Sequence, residues 1–344
     1  MSATEKNNAM RTVHLTPGDR LIYEQEIRPF LPHTLFDAHC HLLLNEFHPR
    51  LEECVPLSRD PHLSNVDLPY IETWWRALFP DAETSGMIMG FPTQDCDWAS
   101  ENDRVAQSAH ERHIPFSILT HPATPPGELE AEILRLKPSG LKPYMVFVQD
   151  KDPNAASITD LIPESQIALA DKHRLAIILH VAKPRGMADP ENLRDIIRLA
   201  RDYPNCNFVL AHCGRCFITP NMETVLEQLP AMENLWFDTS AVCDMGVFIA
   251  LFEKYDRTRI VFGTDLVTPT GFRGSYVRLG MSWHLCAPEM VARPGGIESQ
   301  ATFAAYENLC ALIHAARFCK LSEQERNNIF RNNAVQLFLG LDLG

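Results

Sequence analysis

Several features are scarce or missing in this sequence, and each absence removes a class of protein. None of its apolar runs approaches the ~18 residues needed to span a membrane. The opening stretch, MSATEKNNAMRTVHL, lacks the apolar centre of a secretory signal. Basic residues are few: 31 lysines and arginines stand against 44 aspartates and glutamates, a net charge of −13. That balance argues against nucleic acid and acidic membrane as partners. The 10 cysteines are scattered without a disulfide framework, which suits a reducing cytoplasm. No glycine-rich turn follows the first apolar run, so a doubly wound nucleotide-binding sheet is disfavoured.

What is present is enough for a large core: 344 residues, 45% of them hydrophobic. Eight short apolar runs occur at 35–42, 84–91, 115–121, 140–148, 175–182, 207–213, 235–241 and 260–266. Helical signals lie between most of them. Asp189-Pro190 opens a segment with Leu193, Ile196, Ile197 and Ala200 on one stripe. Thr219-Pro220 repeats that opening, and Ser322 with Glu325 forms a capping box. Eight alternating strand–helix units predict an α/β fold, a closed (β/α)8 TIM-like barrel over residues 35–344. Residues 1–34 precede it as an arm, expected across the barrel bottom or against a partner. Residues 43–83 form an insertion after the first strand, expected as a lid or wall over the site. The other reading of Trp74 and Trp75 is that they fill a small core.

The first run contains FDAHCHL, with His39 and His41 two positions apart. On a strand this spacing sends both imidazoles, and Asp37 with them, to one face, and Cys40 to the other. The fifth run ends at His180, the sixth at His212 and the eighth at Asp265. Taken singly, each is more commonly a rim hydrogen-bonding group or a helix cap. Together they place metal-ligating side chains at the ends of strands one, five, six and eight.

With those residues in view, the chain resembles the amidohydrolase superfamily of metal-dependent hydrolases, in its amidohydrolase-related branch. The resemblance rests on DAHCHL (37–42), GLKPY (140–144), ILH (178–180), AHCGR (211–215), GTD (263–265) and the terminal NNAVQLFLG (332–340). It implies a distorted (β/α)8 barrel. His39, His41, His180 and Asp265 would hold one divalent cation, most often zinc, and His212 would stand beside it as a catalytic group. Asp265 would take a proton from metal-activated water, and His212 would donate to the developing oxyanion. Lys142 has two readings. Carboxylated, it would bridge two metals with His180 and His212 on the second; unmodified, it would meet a substrate carboxylate or pair with an acid.

Lys142, Tyr144, Arg215 and Arg273 are the expected substrate-binding residues, with Lys183, Arg185 and Asp244 as further rim candidates. The pair Cys213 and Cys216 matches a Cys-x-x-Cys pattern but is read as packing. The expected activity is hydrolysis of a C–O or C–N bond in a small, anionic ester, lactone or amide. Non-oxidative decarboxylation on the same scaffold is the alternative, and a non-catalytic binding barrel the third reading. The partner is a small molecule, and homo-oligomerisation is left open.

Overall fold

Strands that are buried on both faces need unbroken apolar sequence, and the short runs in this chain supply it. In the computed structural model, which describes residues 11–287 and 301–341, they become eight parallel strands in sequence order. These are β1 (Thr34–Leu42), β2 (Glu83–Gly90), β3 (Phe116–Thr120), β4 (Gly140–Pro143), β5 (Ala176–Leu179), β6 (Asn207–Leu210), β7 (Leu235–Asp238) and β8 (Ile260–Val261). Helices run between them, giving the TIM-type barrel. No helix among the described residues is long and apolar enough to cross a membrane.

Alternation along the strands divides the core into two layers. Met87, Met89, Ala176, Ile178, Val209 and Trp236 fill the barrel interior, with Ala334, Val335 and Phe338 of the terminal helix Asn333–Leu339 packed beneath. Ile88, Ile177, Leu179, Phe208, Leu210 and Phe237 face the outer helices. The ring closes without a long ladder. Ala38 N donates to Phe262 O (2.9 Å), Asp265 N to His39 O (2.8 Å) and His41 N to Leu266 O (2.8 Å).

Strict alternation fails at one place. The β1–β2 register shifts between Asp37 and Cys40, as at a β-bulge. One extra residue inverts every side chain beyond it. Phe36 and Ala38 point into the barrel, and so do His39 and His41 after the irregularity. Asp37 therefore does not share the histidine face, contrary to the alternation read from sequence. It points outward with Cys40, where its carboxylate accepts from Cys40 Sγ (2.9 Å), Trp75 Nε1 (3.0 Å) and Thr264 Oγ1 (2.5 Å).

No residue of the insertion at 43–83 lines the cavity at the barrel mouth. Leu43 and Val66 pair in an antiparallel bridge that closes the intervening loop at its neck. Helix Leu68–Leu78 then packs Ile71, Trp74, Trp75 and Leu78 inward as the first outer helix of the barrel. Both tryptophans are core residues, Trp74 with its ring 5.2 Å from Phe303. The described part of the N-terminal arm lies along helix Ala304–Phe318, where Arg317 donates to Glu26 O (3.2 Å). An antiparallel hairpin, β9 (Ser275–Leu279) and β10 (Ser282–Cys286), follows β8 and forms the wall that the insertion does not.

Candidate active site

At the C-terminal mouth of the barrel the two β1 histidines are fixed by their outer nitrogens. His41 Nδ1 bonds the carbonyl of Gly90 (2.8 Å), so it carries the proton and Nε2 presents a lone pair. His39 Nδ1 is held by the Asp238 carboxylate, leaving its Nε2 in the same state. The two Nε2 atoms lie 3.1 Å apart, and Asp265 Oδ1 is 3.5 Å from each. Three electron-rich atoms at such separations repel unless a proton or cation lies among them. Metal–ligand bonds of about 2.0–2.2 Å need neighbouring ligand atoms roughly 3.0–3.5 Å apart, so this triangle fits a divalent ion.

His212 joins the group. Its Nδ1 lies 2.9 Å from Ser240 Oγ and 3.8 Å from Asp265 Oδ2. Among the described residues, ligand atoms of His39, His212 and Asp265 fall within 4.8 Å of one another, a set with His212 and without His180. His180 faces the same cavity, its ring 5.1 Å from His212 and 4.6 Å from Tyr144. Burial pushes all four imidazoles well below their ordinary pKa, which keeps them neutral and able to ligate. The same burial drives Asp265 well above the usual carboxylate range. Lys142 reaches the cluster from β4, with Nζ 3.3 Å from His39 Nε2. Burial lowers it to about 8, although Asp265 and Asp238 pull the other way.

The segment after β6 has unusual backbone. His212, Cys213, Gly214 and Arg215 have φ of 54°, 52°, 66° and 56°, one turn of left-handed coil. Such a turn costs ~1–2 kcal/mol for each non-glycine residue. It brings His212 and Arg215 to the cavity while Cys213 and Cys216 are buried as free thiols. Burial raises both thiols, Cys216 to about 12, so they pack and do not react. At Gly214 an added Cβ would lie 2.4 Å from Met187 Cγ. Gly214→Ala is therefore expected to destabilise the fold by about 1–3 kcal/mol, read by chemical denaturation; an unchanged midpoint would show that the turn relaxes.

The cavity holds about 150 Å³ and is lined by His41, Tyr144, His180, His212, Arg215 and Asp265, with an aromatic wall of Phe91, Phe217, Tyr276 and Trp283. Phe217 and Trp283 rings are 4.3 Å apart. Burial pushes the Tyr144 phenol up to about 12. Arg215 is half-buried. It donates to Val181 O (2.9 Å), while its Nε has no partner and no carboxylate pairs with it among the described residues. A desolvated guanidinium facing a cavity without a counter-ion is chemically suited to binding an anion.

Four other rim candidates lie elsewhere. Arg273 turns to the arm, bonding Asp19 Oδ2 (2.8 Å) and His14 O (2.9 Å), so it is structural and does not line the cavity. Lys183 pairs with Asp189 (3.3 Å) and Glu191. Arg185 is exposed. Asp244 caps helix Met245–Lys254 and binds Thr219 N (2.9 Å). Sequence reasoning overlooked Asp238 and Ser240, although the seventh run, LWFDTS, ends in polar residues like the others. It also missed Phe217, Tyr276 and Trp283, for which spacing gives no signal.

A family model described as amidohydrolase matches residues 36–339. No curated protein matches. Solved structures do, among them three at low identity. A probable 2-pyrone-4,6-dicarboxylic acid hydrolase from Acinetobacter baumannii, with citric acid bound, superposes at TM-score 0.57 with 13% identity over 89% of this chain and 99% of its own. A 2,6-dihydroxybenzoate decarboxylase from Rhizobium gives 0.54 and 15%, over 90% and 99%. A 5-carboxyvanillate decarboxylase from Novosphingobium aromaticivorans, with bound manganese, gives 0.51 and 11%, over 90% and 97%. At such identities the likeness is one of fold.

Proposed function

The chain belongs to the amidohydrolase family, and from that premise we propose a metal-dependent hydrolase acting on a C–O or C–N bond of a small anionic substrate. The observation that carries this reading is the triangle of His39, His41 and Asp265, with an unpaired guanidinium across the same cavity. Those three side chains would hold the cation, with His212 and His180 beside them. Zinc suits the nitrogen and oxygen donors, and manganese is found in one fold relative. When bound, the ion polarises a carbonyl oxygen and lowers the pKa of water to about 7.

The protein's own groups do the rest. Asp265, kept proton-hungry by burial, accepts a proton at the carboxylate oxygen turned toward His212 and returns it to the leaving group. His212, held through Nδ1 by Ser240, donates from its other ring nitrogen to the oxygen that gains charge. Arg215 binds the substrate carboxylate and Tyr144 lines its approach, while Lys142, fully buried, stands beside His39 Nε2. The aromatic wall excludes water and selects a flat molecule.

That wall also favours a second reading, non-oxidative decarboxylation of a planar aromatic acid. Lactones, esters and aromatic acids are to be incubated with the metal-loaded enzyme in ¹⁸O-water. Label in a ring-opened or cleaved product, without carbon dioxide, is the expected result. Release of carbon dioxide with no label would overturn hydrolysis and leave the decarboxylase.

A further inference from the structure

Outside this cavity, a second group of ligand-type side chains converges behind β2. His48 comes from the loop after β1, Cys96 from the loop after β2 and Glu101 from the first turn of helix Trp98–Arg112. All three are buried, and one ligand atom from each lies within 4.8 Å of the other two. His48 Nδ1 is 2.8 Å from Thr93 Oγ1, and Nε2 is 3.2 Å from Glu101 Oε1. Glu101 is 0% exposed; the backbone N–H groups of Phe91 and Leu44 face its carboxylate, yet Oε2 makes no well-formed hydrogen bond. Neither lysine nor arginine pairs with it among the described residues. A sealed carboxylate with one oxygen unsatisfied is costly, and a cation removes that cost.

We propose that His48, Cys96 and Glu101 form a second metal site, separate from the cavity, for a borderline-soft divalent ion of the zinc type. The donor set is one imidazole, one thiolate and one carboxylate. Thr93 Oγ1 can accept a proton from His48 Nδ1, and in that tautomer His48 Nε2 would offer its lone pair to an ion shared with Glu101 Oε1. His41 adopts that tautomer beside Asp265 because the Gly90 carbonyl can only accept. The 3.2 Å separation suits two ligands sharing a tetrahedral ion. Binding releases one proton, from the Cys96 thiol, and involves no redox change. The ion would tie the loop after β1 to the loop and helix after β2. It also braces the catalytic centre from behind, since a Cβ on Gly90 would lie 3.0 Å from the Glu101 carboxyl carbon, and the Gly90 carbonyl orients His41.

The test uses full-length protein, stripped of metal and titrated with cobalt(II) alone. The expected result is two bound equivalents, one of them giving a thiolate-to-cobalt absorption in the near ultraviolet. The cavity ligands are nitrogen and oxygen, so that band reports on Cys96. Cys96→Ser should lose the band and one of the two equivalents, and His48→Gln should do the same. Asp265→Asn should keep the band while weakening the other equivalent. A wild-type protein without the band, or a band that survives in Cys96→Ser, overturns the proposal and leaves an ordinary buried His48–Glu101 pair.

Discussion

Asp265→Asn is expected to lower kcat/KM by ~10³-fold or more, within the range that loss of a general acid–base group produces. The substitution keeps shape and one acceptor oxygen. It removes the ionisable group whose charge would pair with a cation beside His39 and His41, and the proton-accepting oxygen turned toward His212. Cation affinity should fall together with turnover, whereas the denaturation midpoint should change little, because the backbone N–H of Asp265 still reaches His39 O. Steady-state kinetics with metal analysis on the same preparation separates the two effects. Activity within tenfold of wild type would remove Asp265 from the reacting centre.

The largest stability effect is expected at Asp37, which the sequence places beside His39 and His41 and the structure places behind them. Its carboxylate accepts from the backbone N–H of Thr264 (2.8 Å) and His39 (3.2 Å), and from Thr264 Oγ1, Trp75 Nε1 and Cys40 Sγ. One side chain thus ties β1 to the end of β8 and to the first outer helix. Asp37→Ala strands five donors in a site that water does not reach, and buried networks broken in this way lose about 3–5 kcal/mol. Denaturant unfolding should register that loss, with a smaller one for Asp37→Asn. A change under ~1 kcal/mol would mean that the donors find other partners.

The fold was legible because each strand of a closed parallel barrel is short and buried on both sides, and each left a distinct apolar run. Site residues at strand ends were legible for the same reason: His180, His212 and Asp265 interrupt apolar stretches. What stayed hidden depends on backbone geometry that composition does not record. The register shift at 37–40 turns His39 and His41 to the face opposite Asp37 without any glycine or proline to announce it. Arg215 and Arg273 look alike as basic residues after strands, but a left-handed turn carries one into the cavity and an N-terminal carboxylate captures the other. Two members of the aromatic wall, Tyr276 and Trp283, come from a hairpin beyond the last barrel strand, where a side chain's neighbours are set by tertiary packing alone. The insertion misled through its length, since most of its apolar residues serve the outer layer of the barrel.

The seam between the first and last barrel strands has a consequence for assembly. The main-chain bonds that join them, from Ala38, His41 and Asp265, belong to the same few residues that supply the two imidazoles and the carboxylate. The ion's seat is therefore absent from an open sheet and appears only as the ring shuts. A cation bound there would act as a latch across more than two hundred residues of intervening chain, and loading the ion and completing the fold would become one cooperative event.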